Sequence, residues 1–177
     1  MTIRLAAEED MDAVWALVSR AVAHMNALGN PQWGEDYPLR IDFEEDRARG
    51  ELYLAVDDDG TILGCVCLNG RESPEYAPLP WRDAGPALML HRLAVDPKAQ
   101  RRGVGRALFA YYEDKARREG CTSLRLDTYG QNDRMRSLIE SRGFEQVGMV
   151  HFDRVGRPLG FPCFEKVLEP FYLAFLS

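Results

Sequence analysis

The stretch Leu90-His91-Arg92-Leu93-Ala94-Val95-Asp96-Pro97-Lys98-Ala99-Gln100-Arg101-Arg102-Gly103-Val104-Gly105-Arg106 decides how the chain is read. Its apolar start, within Ala87 to Val95, reads as a buried strand closed by Asp96-Pro97. A tight loop follows, and Arg102 to Glu119 reads as a helix ended by Gly120. Glycines let backbone come close to a ligand. A helix start offers free N–H groups at the positive end of its dipole. Arg101, Arg102 and Arg106 add charge around that start, so the segment reads as an anion site rather than a plain turn with solvated arginines. No Gly-Lys-Ser/Thr follows, which excludes a Walker loop. The dinucleotide pattern G-x-G-x-x-G, with an acid about 20 residues on, is also absent.

Outward from this segment the elements alternate. Ile3 to Leu5 reads as a first strand, and Glu8, Glu9 and Asp10 stand where a helix start favours negative charge. Met11, Val14, Trp15, Val18, Val22 and Met25 then keep a helical spacing that ends before Gly29. An aromatic, turn-rich loop from Asn30 to Pro38 leads to a short polar helix ending near Gly50. Leu52 to Val56 and Ile62 to Leu68 flank Asp58-Asp59-Gly60, a hairpin signal. Asn69 to Pro86 is a long irregular stretch with four prolines, and loops of that length are usually functional or mobile. Beyond the central segment, Ser123 to Asp127 reads as a strand and Asn132 to Arg142 as a helix stopped by Gly143. Phe144 to Val150 and Phe161 to Leu168 read as paired strands. The expected order is β-α-α-β-β-β-α-β-α-β-β, one mixed α/β domain over residues 1–177 with its core at about 3–168.

Composition narrows the class. At 177 residues, 46% hydrophobic and 28% charged, the chain suits one sizeable core and is neither disordered nor fibrous. A formal net charge of -6 argues against a broad nucleic-acid face, although a local arginine cluster can still hold a small anion. No apolar run reaches the ~18 residues of a membrane helix. The first twelve residues turn acidic with no apolar core, so no secretion signal is expected and the location expected is cytoplasmic. Cys65, Cys67, Cys121 and Cys163 form no zinc spacing; they are expected to be buried structural thiols, and no metal is expected.

Gln100-x-x-Gly103-x-Gly105 after Leu93-Ala94-Val95-Asp96-Pro97, followed by Asn132 and Gly143-Phe144, closely resembles the GNAT family of N-acetyltransferases. The match in element order runs from about residue 3 to 168, and the loop Asn26 to Pro38 with Leu124-Arg125-Leu126-Asp127-Thr128 looks like a bacterial subgroup with poorly defined substrates. The resemblance implies a mixed, mostly antiparallel central sheet flanked by helices, with the fourth and fifth strands splayed apart. It implies acetyl-CoA as co-substrate, its pyrophosphate on the backbone of Gln100, Arg101, Arg102, Gly103, Val104, Gly105 and Arg106. The pantetheine amides would pair with Leu93 and Val95, an N–H near Leu93 or Ala94 would face the thioester oxygen, and Asn132 would bond the pantetheine or cap its helix. The reaction implied is acetyl transfer to a primary amine of a small molecule or peptide by direct attack in a ternary complex.

Two family features are missing. The strand carboxylate that often takes the amine proton corresponds to Met89, and the tyrosine that often protonates the thiolate corresponds to Ile139. His91, two residues from Met89, is a candidate base, against a packed histidine. Asp127 is another, against an ion pair with Arg92 or Arg125. Glu35 and Asp36 could grip a cationic acceptor or stay solvated, and Tyr129 or Ser137 could supply the proton, as could water. Trp33, Tyr37, Tyr76 and Trp81 read equally as an acceptor wall or as packing under loops. The apolar tail from Pro170 to Leu176 could dock on its own core or make a dimer contact. Two rival readings stand beside the transferase: a non-catalytic CoA-binding sensor or interaction module, motivated by Met89 and Ile139, and a nucleotide-phosphate binder.

Overall fold

The computed structural model describes residues 1–170. The strands are β1 (Thr2–Leu5), β2 (Leu52–Val56), β3 (Ile62–Asn69), β4 (Ala87–Val95), β5 (Ser123–Asp127), β6 (Glu145–Val150) and β7 (Phe161–Val167). The helices are α1 (Met11–Ala27), α2 (Arg40–Ala48), α3 (Val104–Arg118) and α4 (Asp133–Ser141), with single 3-10 turns at Glu8–Asp10, Pro74–Tyr76 and Pro97–Ala99. The strands form a mixed, mostly antiparallel sheet in the order β1-β2-β3-β4-β5-β7-β6. Element order therefore agrees with the sequence reading, and most boundaries fall within two residues of it. No helix among the described residues is long and apolar enough to cross a membrane.

The chain divides into two compact units, Met1–Leu68 with Leu90–Tyr111, and Asn69–Met89 with the residues from Tyr112 onward. In the first unit β1, β2 and β3 run antiparallel, from Thr2 opposite Val56 and from Leu52 opposite Cys67. β2 and most of β3 are buried, so their apolar runs show little alternation. The core gathers Met11, Val14, Leu17 and Val18 of α1 with Phe43, Leu54, Cys65 and Ala94. Leu17, outside the periodic set read from the sequence, is fully buried, while Trp15, Val22 and Met25 are only partly so. The acidic turn before α1 is tied down by Asp10, which accepts from the Ala7 N–H at 2.8 Å and from Arg4 at 2.7 Å.

In the second unit β4 runs parallel to β5, from Ala87 opposite Ser123 to Met89 opposite Arg125. β7 pairs antiparallel with both β5 and β6. Tyr76, Met89, Tyr129, Val150, Phe161 and Cys163 form its core cluster. The Asn132 side chain caps α4 by accepting from the Met135 N–H at 3.3 Å, as its position before the helix suggested. All four cysteines are free, but Cys121 is only half-buried, at the end of the α3–β5 turn; the expectation of four buried thiols holds for Cys65, Cys67 and Cys163. The tail beyond residue 170, including the proposed docking or dimer contact, lies outside the described residues.

Candidate functional site

In the first unit the candidate anion loop begins where β4 ends. Asp96 receives the Lys98 N–H at 3.0 Å and pairs with Arg20 at 2.6 Å, so it fixes the turn Pro97–Ala99 from inside the fold. The chain then turns through Arg101, φ 66°, and Gly103, φ 76°, both in the left-handed region. Nothing lies within 4 Å of the position a Cβ would take at Gly103, so that backbone faces open space. Val104, at the first position of α3, is buried and anchors the helix start, while Arg101, Arg102 and Arg106 are exposed. Arg102 is partly committed, its guanidinium 2.7 Å from Asp57. An open glycine backbone, a helix start and two further exposed arginines fit a polyanionic ligand such as the phosphate end of CoA.

Within the same unit β4 is irregular. Arg92 has φ 47° in mid-strand, a conformation that costs a non-glycine residue of order 1–3 kcal/mol and survives only where its surroundings dictate it. Its guanidinium binds Asp46 of α2 in two contacts of 2.6 Å each and donates to the Tyr37 hydroxyl at 2.9 Å. Asp46 is 1% exposed, so this is an interior ion pair. Asp46, Glu51 and Cys67 are spaced as metal ligands could be, but both oxygens of Asp46 already accept from Arg92. Burial also pushes the Cys67 thiol up to about 12. The acceptor-loop aromatics divide: Trp33 is core packing, whereas Tyr37 is half-buried with its hydroxyl on Arg92. Glu35 and Asp36 are exposed on the same loop, and His91 is half-buried on β4.

In the second unit the notable group is Asp127, at the C-terminal end of β5. The Tyr76 hydroxyl donates to its Oδ2 at 2.5 Å, and Tyr76 is 2% exposed. Burial raises the Asp127 pKa, while the Tyr76 bond and the charge of Arg154 hold it down. Burial, then the neighbouring carboxylate, push the Tyr76 hydroxyl well above its usual value, so it serves as donor and not as phenolate. The ion pair expected between Asp127 and Arg92 or Arg125 is not what forms. Arg92 is taken by Asp46, and Arg125 by Glu72 at 2.5 Å and the fully buried Glu165 at 3.3 Å. Trp81 lies under the Arg125 guanidinium, 4.5 Å to the ring centre, with its indole N–H on the Tyr76 carbonyl. Glu165 also accepts from the Arg82 N–H at 2.8 Å, so the long segment before β4 is strapped to β7.

Other candidates fall into packed positions. Tyr129 is 1% exposed, its ring tilted against Phe161, with the Leu159 N–H 3.5 Å from its hydroxyl. Met89 and Ile139 are both buried, 1% and 0% exposed. Sequence reasoning missed Asp46 altogether; one acid among the four of α2 (Asp42, Glu44, Glu45 and Asp46) gives no hint that it alone is buried.

The acetyltransferase (GNAT) family profile matches residues 19–144. The chain belongs to the GNAT acetyltransferase family. It is 37% identical over 153 residues to the uncharacterized N-acetyltransferase YhfO of Bacillus subtilis, covering 86% of this chain and 95% of that one. It is 32% identical over 117 residues to the aminoglycoside N(6')-acetyltransferase type 1 of Klebsiella aerogenes, 66% of each chain. With the mycothiol acetyltransferase of Beutenbergia cavernae it shares 42% identity over 99 residues, 55% of this chain but only 29% of that protein. The GNAT-family acetyltransferase structure from Streptococcus agalactiae superposes with a TM-score of 0.78 at 25% identity, covering 96% of both chains. A Salmonella typhimurium neighbour solved with acetyl-CoA, yncA, shares the fold at TM-score 0.68 and 21% identity, covering 95% of this chain and 94% of that one.

Proposed function

We propose that this GNAT protein transfers the acetyl group of acetyl-CoA to a primary amine of a small molecule or a protein, by direct attack in a ternary complex, in the cytoplasm. The observation that carries the reading lies in the first unit: β4, with its left-handed Arg92, leads through an Asp96-fixed turn into an open, arginine-flanked glycine loop at the start of α3. Backbone N–H groups of Gln100 to Arg106 would hold the pyrophosphate, with Arg101 and Arg106 adding charge. Leu93 and Val95 would pair with the pantetheine amides, and an N–H of Leu93 or Ala94 would meet charge developing on the acyl oxygen. Acetyl-CoA, when bound, supplies an activated acyl carbon and a thiolate leaving group.

The chain's own residues must then manage protons. A lysine-like amine of pKa ~10.4 is only about a thousandth neutral near pH 7, so the N–C bond forms as a base removes an amine proton. Asp127 suits that role or the grip on a cationic acceptor, because burial raises its pKa while Tyr76 fixes one of its oxygens. His91 is the other base candidate, and Glu35, Tyr37 and Trp81 remain candidates for acceptor contact. The aminoglycoside relative favours a polyamine-like acceptor. Water suits the thiolate proton better than Tyr129, a buried residue whose hydroxyl faces the Leu159 N–H in the segment before β7.

The buried Met89 and Ile139 favour one other reading, a CoA-binding module without turnover, since neither can exchange a proton. The test is to incubate the protein with acetyl-CoA and a panel of aminoglycosides, polyamines and peptides, reading free thiol together with acetylated product by mass. Acceptor-dependent thiol release supports the transferase. Tight acetyl-CoA binding with no product from any amine supports the module.

A further inference from the structure

Arg92 is the feature that the transferase reading leaves unexplained. In a regular strand its side chain would alternate with those of His91 and Leu93. A left-handed residue interrupts that alternation, re-aiming its own side chain and the peptide that follows, whose N–H belongs to Leu93. The sequence requires no such conformation, because neither glycine nor asparagine stands there. What over-determines it is the set of contacts the guanidinium makes.

Nε and Nη2 each lie 2.6 Å from a different oxygen of Asp46, Nη1 donates to the Tyr37 hydroxyl at 2.9 Å, and Nη2 lies 3.9 Å from the Cys67 sulfur. The three oxygen contacts come from two segments distant in sequence, α2 and the loop before it. Asp46 is buried, so without Arg92 it would be an unpaired interior charge. A planar fork clamped at both tines leaves the strand backbone little freedom, as one lysine contact would not.

We infer that Arg92 is a positioning residue, its guanidinium held by Asp46 and Tyr37 so that its left-handed backbone in β4 aims the Leu93 and Ala94 N–H groups. This rests on the transferase reading for what those N–H groups face. It adds a link that reading does not contain: the aromatic loop at Tyr37 and the backbone donors of β4 are set by one side chain. A change in that loop would then alter the chemical step, not only acceptor affinity.

The test uses Asp46→Asn, Arg92→Lys and Tyr37→Phe in the full chain, with two readouts. The first needs no activity: NMR shifts and hydrogen exchange of the Leu93 and Ala94 amides in the free protein. The second is kcat against KM, with acetyl-CoA affinity measured separately. Asp46→Asn and Arg92→Lys are expected to move both amides and lower kcat about tenfold to a hundredfold, with acetyl-CoA affinity changed less than about threefold. Tyr37→Phe should do the same to a smaller extent, and it carries the test if the interior variants do not fold. Unmoved amides with unchanged kcat, in variants that merely melt earlier, overturn the proposal. If the wild type acetylates nothing, the transferase reading fails by itself. The amide readout still decides whether the clamp sets the backbone.

Discussion

Gly64 of β3 gives the sharpest test of how the first unit holds its ligand strand. A Cβ built there would stand 2.8 Å from the Ala94 carbonyl oxygen, 3.0 Å from Val104 Cγ1 and 3.5 Å from Leu108 Cδ1. The first contact is with backbone, so it cannot be relieved by a rotamer change. Val104 and Leu108 are buried, 2% and 0% exposed, so they have little room to retreat. Gly64→Ala must therefore push β4 or the first turn of α3 by several tenths of an ångström, and overpacking of this kind costs about 1–3 kcal/mol. For a chain of this length that is roughly 2–12 °C in Tm. The displaced atoms flank both Ala94 and the start of the glycine loop, so acetyl-CoA should also bind more weakly. Urea unfolding and a ligand titration measure the two effects. Stability within about 0.5 kcal/mol of wild type and unchanged acetyl-CoA affinity would refute the packing argument.

Further outcomes follow from the same geometry. Arg101→Glu with Arg106→Glu should weaken acetyl-CoA binding by about tenfold or more and flatten its salt dependence, read by titration at two ionic strengths. Asn132→Ala should cost about 1 kcal/mol by loss of the α4 cap, read by urea unfolding. Tyr76→Phe removes a donor that lowers the Asp127 pKa and leaves the burial that raises it. A folded-state pKa above the unfolded one gives stability that is full below the unfolded value and lost as pH rises through the folded value. Removing the donor lifts the folded value further, so Tyr76→Phe should lose stability against wild type increasingly as pH rises above the usual carboxylate range. If Asp127 takes the amine proton, the acidic limb of kcat/KM should move to higher pH as well. Glu165→Gln should loosen the segment around Arg82 and Asp83, read as faster amide exchange there.

Local signals made most of the fold legible. The glycine-arginine loop, the Asp96-Pro97 stop and the Asn132 cap are set by short-range chemistry, and each sits where its residues put it. The buried strands showed as apolar runs between turn residues. The partners of charged side chains were not legible. Asp127 looked like an arginine partner because Arg125 is near it in sequence, yet Arg125 reaches Glu72 and Glu165 while Asp127 receives Tyr76. Nothing local reports a bidentate contact across 46 residues from Asp46 to Arg92, nor a left-handed arginine inside a strand. The aromatic residues had two readings because exposure, not identity, separates them. Trp33 entered the core, and Tyr37 became a hydrogen-bond acceptor.

The central claim, that the β4–α3 loop holds acetyl-CoA, is tested most directly by thermal unfolding with acetyl-CoA in large excess and ATP as control. Ligand at 100 times its Kd adds ~2.7 kcal/mol, or roughly 5–11 °C at this chain length. The account predicts a shift of that size with acetyl-CoA, absent with ATP and abolished by the Arg101→Glu and Arg106→Glu pair. An equal shift with ATP, or none at millimolar acetyl-CoA, would contradict it.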